Sequence, residues 1–364
     1  MRVRVLGSGV AGLACALAMR RRCGFDDVVV LERDSPEVAQ ARVGHGLLLM
    51  QNGVAALRAL GADGFLSEFR SLDRTVVQNA AGAVVASDGL DGVYCVTRAG
   101  LVAALRAELP DDAVQHGRRV TSIELVPLLP PGRDPHIIRR ELRTIEFESG
   151  PPLTSADADL FVGAEGWRSP MYAAFNPGVA RQTSQVFEIV TSTRAPELAA
   201  SLGSTFVKTE FADLGLAFGL LSSSVDHVIG FMQFDTQRHG WPRAMSGPSL
   251  RAFVIERVGG GPEPIPSYLR VADFSTAHVW RPVNADVAAG LCGTNAIIVG
   301  DAAHPLLPFT SQGVGSALED AVILADALSL VGPERHLLPR TLAGFSQDRT
   351  RDMAGYVEGG RRIL

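Results

Sequence analysis

The sequence predicts an α/β chain in two parts of different character, one built around a parallel sheet with helices and one dominated by strands. Three observations lead there. Residues 2–33 read as strand, glycine-rich turn, helix and strand. From about residue 184 to 282 strand-like stretches dominate. A short apolar run, Ala296-Ile297-Ile298-Val299, then re-enters the first pattern and is followed by two helical stretches. With 364 residues, 46% of them hydrophobic, the chain is long enough for about two domains.

Taken in order, Val3 to Leu6 is the first strand, Ala11 to Arg22 a helix and Val28 to Leu31 the second strand. Residues 53–61 are helical and close on Gly61 as a stop signal. Residues 74–86 alternate as strands do, and Tyr94 to Arg98 is a strand leading into a helix at 100–109. The Pro/Gly-rich stretch 129–136 is a surface loop. Strands follow at 145–147 and 159–162, then at 186–192, 204–211, 214–222 and 227–235, the last two as a hairpin across residues 222–226. Helices are expected at about 248–258, 312–328 and 340–358.

Composition narrows the function classes. The net charge of −5 and the absence of a long Lys/Arg run argue against a nucleic-acid partner. No apolar run reaches the roughly 18 residues that a bilayer span requires. No signal-peptide-like segment follows Met1, so a cytoplasmic location is expected. The four cysteines are scattered without a C-x-x-C pair, so neither a disulfide framework nor a metal site is expected.

Gly7-Ser8-Gly9-Val10-Ala11-Gly12 is a G-x-G-x-x-G sequence between a strand and a helix. In that context each glycine has a task. Gly7 permits the tight turn, Gly9 lets a pyrophosphate approach the backbone, and Gly12 lets the helix pack close to the sheet. The helix start, with Val10 and Ala11, offers unpaired N–H groups to phosphate. Glu32 ends the second strand 20 residues after Gly12, placed to accept hydrogen bonds from a ribose diol, with Arg33 beside it. This identifies a Rossmann-type dinucleotide site but does not separate FAD from NAD.

A second segment separates them. Gly300-Asp301-Ala302-Ala303-His304-Pro305 follows a strand and runs into Gln312-Gly313-Val314-Gly315, which opens a helix. This resembles the class A flavoprotein monooxygenases, the p-hydroxybenzoate hydroxylase-like family. The resemblance implies that Asp301 binds the ribitol of FAD, that Pro305 contacts the isoalloxazine, and that Gln312, Gly313 and Val314 face its pyrimidine edge. A helix N-terminus there suits the negative charge that reduced flavin carries. Three further pieces resemble the family: Arg42 with Gly44-His45-Gly46 in the stretch that passes the flavin, Arg98 near the FAD phosphates, and Asp159 to Ser169. In the last, Glu165-Gly166 stands where the family writes Asp-Gly.

The resemblance implies a Rossmann-type (doubly wound) FAD-binding domain with an inserted mainly β substrate domain. The FAD-binding parts are expected at 1–73, 96–183 and 284–364, and the substrate parts at 74–95 and 184–283. It implies hydroxylation or epoxidation of a hydrophobic, aromatic or polyketide-like molecule of secondary metabolism by a flavin C4a-(hydro)peroxide formed from O₂. Electrons come from NADH or NADPH, or as reduced FAD from a separate flavin reductase, an alternative that the Glu165 departure keeps open. A flavin dehydrogenase or reductase of the same fold, and a non-catalytic lipid or prenyl carrier, also stay open.

No nucleophile triad or carboxylate pair stands out, as expected where the cofactor carries the hard step. His45 and Pro305 are the residues placed to touch the reacting groups. For His45 the readings are a hydrogen bond to flavin or substrate, a covalent flavin link, or a loop histidine bonded to backbone. The apolar hairpin nominates Phe218, Leu220, Phe231 and Gln233 for the substrate pocket. A base able to deprotonate a phenol is not legible.

Overall fold

The computed structural model describes residues 1–41, 46–128, 140–288, 290–332 and 334–363, without the side chains of residues 40 and 41. Arg42, His45 and the expected loop at 129–136 lie outside the described residues.

The valine-rich run Val3–Leu6 is the middle strand of a five-stranded sheet. It pairs in parallel with Val28–Leu31 on one side and with Leu160–Gly163 on the other. Val114–Gln115 and Ala296–Ile298 extend the two edges, also in parallel. Strands buried on both faces read as near-continuous apolar runs, as Val28–Leu31, Leu160–Gly163 and Ala296–Ile298 do, while Arg4 interrupts the central strand. The order reverses between Val3–Leu6 and Leu160–Gly163, the strands after Val3–Leu6 adding on one side and Leu160–Gly163 on the other. In doubly wound sheets that is where a ligand crevice opens.

Helix Val10–Cys23 covers one face with small residues, Ala14 and Ala18 fully buried, and helix Gly313–Ser329 packs onto it through Leu318, Ala321 and Ala325. Gly24 ends the first of these helices and Gly61 ends helix Gln51–Leu60, both left-handed. The other face packs on a three-stranded sheet, Val120–Pro127, Arg140–Phe147 and Leu153–Thr154, and on helix Pro170–Phe175. The long C-terminal helix Leu338–Ile363 closes this part.

The second sheet has eight strands in the order His278–Trp280, Val186–Arg194, His227–Asp235, Leu216–Ser222, Thr205–Phe211, Arg70–Asn79, Val84–Thr97 and Gly46–Leu49. The hairpin expected across residues 222–226 is present. Two strands begin earlier than the expected boundary at 74. Gly46–Leu49 pairs antiparallel with Tyr94–Thr97, and Arg70–Asn79 pairs with both Val84–Thr97 and Thr205–Phe211. A four-residue apolar run carries no periodicity of its own, so only its partner strand identifies Gly46–Leu49 as sheet.

Period-two alternation gives this sheet two different faces. Phe187, Ile189, Phe218, Leu220, Met232 and Phe234 point one way, into a core closed by helices Pro196–Leu202, Gly247–Val258 and Ile265–Val271. The alternate residues point toward the first sheet, and a cavity lies between.

Candidate active site

A single cavity of about 560 Å³ runs from the switch point of the parallel sheet to the inner face of the eight-stranded sheet. Its first wall is the glycine loop. Gly7 has φ +97°, and a Cβ there would stand 2.7 Å from the carbonyl oxygen of Ala164. A Cβ on Gly12 would stand 1.9 Å from the Gly7 carbonyl oxygen, so any side chain would push the helix off the turn. Helix Val10–Cys23 has no side-chain cap and no acidic residue in its first turn. Its first N–H groups therefore present a positive end at the cavity.

Glu32 is 4% exposed and already engaged by protein. Its Oε2 accepts from Ser8 N at 2.9 Å and Ser8 Oγ at 2.6 Å, and its Oε1 accepts from Asp34 N at 3.0 Å. The carboxylate thus stiffens the loop while lining the cavity, and Arg33, Arg118 and Arg119 surround that end with positive charge. Arg98 opens helix Arg98–Ala107 and lines the cavity beside Gly9.

The second wall is the loop after strand Ala296–Ile298. Its foundation is a buried charge cluster. Asp320, 1% exposed, accepts from Gly300 N at 2.7 Å and His304 Nε2 at 2.7 Å through Oδ2, and from Arg349 Nε at 2.8 Å through Oδ1. Burial pushes its carboxyl up, but His304, Arg349 and the Gly300 N–H outweigh it and hold it below the usual carboxylate range. Arg181 ties the loop to the neighbouring one, donating to Trp167 O at 2.9 Å, Asp301 O at 3.1 Å and Ala302 O at 2.6 Å. Asp301 is thereby held facing the cavity. Helix Gly313–Ser329 also starts without a side-chain cap, and Gly313 and Val314 line the cavity. Gln312 does not line it; its Oε1 accepts from Asn52 Nδ2 at 3.0 Å. Gly300 and Pro305 lie beneath the surface of the loop, and Leu306, Pro308 and Phe309 form its cavity side.

Glu165 lies between these walls with its carboxyl buried. Oε2 accepts from Ser169 Oγ at 2.8 Å, while Oε1 has no hydrogen-bond partner. Burial, opposed by the Ser169 and backbone hydrogen bonds, pushes its pKa up to about 7. A carboxyl in that state can donate a hydrogen bond as well as accept one.

The third wall is the eight-stranded sheet. Register sets its side chains in rows. Glu188 lies opposite Gln233 on one side and Trp280 on the other, Val190 opposite Phe231 and His278, and Ile229 opposite Leu221. Phe206 and Lys208 continue the same face. Of the four expected pocket residues, Phe231 and Gln233 line the cavity. Phe218 and Leu220 lie on the opposite face, inside the helix-covered core, because they stand at the other parity of their strand. Glu188, Lys208 and Arg181 were not anticipated. A lone carboxylate in the otherwise apolar run 186–190 was the available signal.

Residues 144–351, more than half of the chain, match the family described as FAD binding domain. The chain belongs to this family, that of the class A flavin-dependent monooxygenases. Among its relatives is the 3-amino-4-hydroxybenzoate 2-monooxygenase of Streptomyces cremeus, 28% identical over 359 residues that cover 90% of this chain and 78% of that protein. The aurachin C monooxygenase/isomerase of Stigmatella aurantiaca is 26% identical and covers 99% and 88%. The crystal structure of Klebsiella pneumoniae HpxO complexed with FAD and uric acid superposes with a TM-score of 0.81 at 21% identity, over 100% of this chain and 87% of that one. The flavoprotein is accordingly an FAD-dependent monooxygenase. Among the described residues none of its helices is long and apolar enough to cross a membrane, and no group of three or more His, Cys, Asp or Glu could hold a metal ion.

Proposed function

We propose that this monooxygenase hydroxylates or epoxidises a hydrophobic aromatic or polyketide-like small molecule of secondary metabolism, held against the eight-stranded sheet. The observation that carries the reading is the convergence of two uncapped helix N-termini, those of Val10–Cys23 and Gly313–Ser329, on one cavity whose far wall is an apolar sheet face. The residues fit FAD. Gly7, Gly9 and Gly12 leave a cradle that a Cβ would fill at Gly7 and Gly12, with the helix start at Val10 and Ala11 for the pyrophosphate. Glu32 and Arg33 suit the adenosine ribose and its surroundings. Arg98 suits the phosphates and Asp301 the ribitol, while Glu165 lies between the two walls with one oxygen unpartnered. The Gly313 and Val314 N–H groups suit the pyrimidine edge, and Pro308, which lines the cavity where Pro305 does not, suits the ring side.

Bound FAD would supply the redox chemistry, the transfer of two electrons from NADH or NADPH to O₂, of which one oxygen atom goes to the substrate and the other to water. The chain's own part is to orient and to exclude water. Val190, Phe206, Leu221, Ile229 and Phe231 offer an apolar platform for a ring. Direct reduction by the nicotinamide is the donor route we infer, in a cytoplasmic setting. The test is the visible spectrum of the purified protein with FAD, followed by anaerobic mixing with NADH or NADPH. Binding with bleaching supports the reading. Binding without bleaching moves the donor to a separate flavin reductase, and a protein that cannot take up FAD sinks it. Asp301→Ala should lower FAD affinity about tenfold or more, as expected for loss of a charge-assisted hydrogen bond.

A further inference from the structure

We propose that Glu188 selects the substrate and accepts its proton: the site takes an uncharged aromatic bearing an ionisable hydroxyl or ring N–H, and rejects aromatic carboxylates. The inference rests on the reading that the eight-stranded sheet is the substrate wall, and it names the substrate class for that wall.

Position comes first. Glu188 is 8% exposed, lines the cavity, and stands in register between Gln233 and Trp280. Among the described residues it makes one hydrogen bond, accepting from Gln233 Nε2 at 2.7 Å through Oε2, and no ion pair. Oε1 makes no bond to protein. A buried carboxylate without a cation is costly, and a packed wall would be better built from an apolar residue. The neighbouring residues Val190, Phe231, Ile229, Leu221 and Phe206 make an apolar surface that ends at this one acceptor. A flat ring on the platform therefore meets Glu188 Oε1 at its edge, beside the Gln233 amide that holds the other oxygen.

The charge around it decides the class. The lysine of this wall, Lys208, is paired with Glu210 at 2.8 Å, and Arg33, Arg118 and Arg119 gather around Glu32 at the glycine-loop end; Arg98, on helix Arg98–Ala107 beside Gly9, acts on His278 rather than on Glu188. A carboxylate placed against the sheet would face Glu188, and among the described residues the lysine of the wall is already paired and does not offset the repulsion. The titratable groups on the adjoining elements are His278, Lys208, Glu210 and Arg98. None of them moves the Glu188 proton. Burial, opposed by the Gln233 hydrogen bond, pushes its pKa up to about 7. Such a group exchanges protons with weakly acidic hydroxyls near neutrality.

The substrate O–H or N–H bond breaks, its proton passes to Glu188 Oε1, and the electron pair left behind delocalises into the ring. That enriches the ring carbon that takes oxygen. Glu188 returns the proton to solvent when product leaves. Gln233 is a positioning residue, holding Oε2 so that Oε1 faces the ring.

The test uses the FAD-loaded protein and three probes of one shape: 2-naphthol, which donates a hydrogen bond, 2-methoxynaphthalene, which does not, and 2-naphthoate, an anion. Their dissociation constants are measured by equilibrium dialysis between pH 5.5 and 8.5 for wild type, Glu188→Gln, Glu188→Leu and Phe231→Ala. At the upper pH wild type should bind naphthol about tenfold more tightly than either other probe, the size expected for one charge-assisted hydrogen bond. That preference should fade as pH falls through about 7, the value to which burial raises Glu188. Glu188→Leu should lose it at every pH, and Glu188→Gln should lose its pH dependence. Equal constants for wild type and Glu188→Leu, or tighter binding of naphthoate by wild type, overturn the inference while the monooxygenase reading stands. If Phe231→Ala leaves all three constants unchanged, or wild type binds none of the probes, the sheet is not the substrate wall, and both readings fall.

Discussion

The cofactor loop and the substrate wall each bury a carboxyl, and the two behave in opposite ways. Asp320 beneath the loop is surrounded by donors, with His304, Arg349 and the Gly300 N–H converging on its two oxygens. They hold it ionised despite burial. Glu188 in the wall is buried to a similar degree but has one neutral donor, Gln233, and its proton is retained to about pH 7. A carboxylate with donors on both oxygens, buried away from the cavity, is scaffold. An unsaturated one facing a cavity has one oxygen to spare. Burial alone separates nothing here; the count of donors does.

Breaking the scaffold should have the largest effect. Arg349→Met leaves Asp320 with less compensation in the same dry site, and a loss of about 3–5 kcal/mol is expected for a broken buried pair. Denaturant unfolding at pH 7 measures it, and a loss below about 1 kcal/mol would mean that His304 and Gly300 suffice. Phe218→Ala should cost about 3–5 kcal/mol as a core truncation, yet leave binding of aromatic probes unchanged, because its side chain lies on the covered face of the sheet. Weakened probe binding in that variant would contradict the assignment of faces.

The next effect has a sign that differs between the two carboxyls. The folded pKa of Glu188 is raised above its unfolded value, so its contribution to stability is full below about pH 4.5 and is lost as pH rises through about 7. Asp320 is depressed, so its contribution is present above the unfolded value and lost as pH falls through the folded one. Glu188→Gln should therefore be more stable than wild type at pH 8 by on the order of 1–3 kcal/mol, with the difference shrinking toward pH 5. Thermal unfolding across that range reads it. A difference of constant size would show that the carboxyl does not titrate there.

The smallest effect concerns Glu165, which shares the high pKa but stands at the cofactor end. If it lies beside phosphate, Glu165→Gln should tighten FAD binding by under about 1 kcal/mol at pH 8 and leave it unchanged at pH 6, because only the ionised acid repels an anion. Fluorescence titration of FAD at the two pH values checks this, and equal affinities for both proteins at pH 8 would place Glu165 away from the phosphates.

The cofactor end was legible in the residues because its requirements are local. A turn with no room for a Cβ at Gly7 or Gly12, followed by a helix and by an acid at the end of the next strand, is written in consecutive sequence. So is the second turn at Gly300 and Asp301. What holds those turns was not legible: Asp320 meets Arg349 across 29 residues, and Arg181 reaches Asp301 across 120. The substrate wall was only half legible. Alternation in 216–222 and 227–235 announced a hairpin with two faces, but nothing local says which face meets the cavity. Phe218 and Leu220 were therefore grouped with Phe231 and Gln233.

The sequence by itself thus determined where the chain must turn tightly and that alternating stretches such as 186–192 and 227–235 form sheet, because backbone sterics and side-chain periodicity act over a few residues. Only the tertiary structure decided which parity of the strands faces the cavity and which acids find donors. Those outcomes depend on strand register and on partners brought together from distant parts of the chain. Glu188 became a candidate only when pairing set it between Gln233 and Trp280.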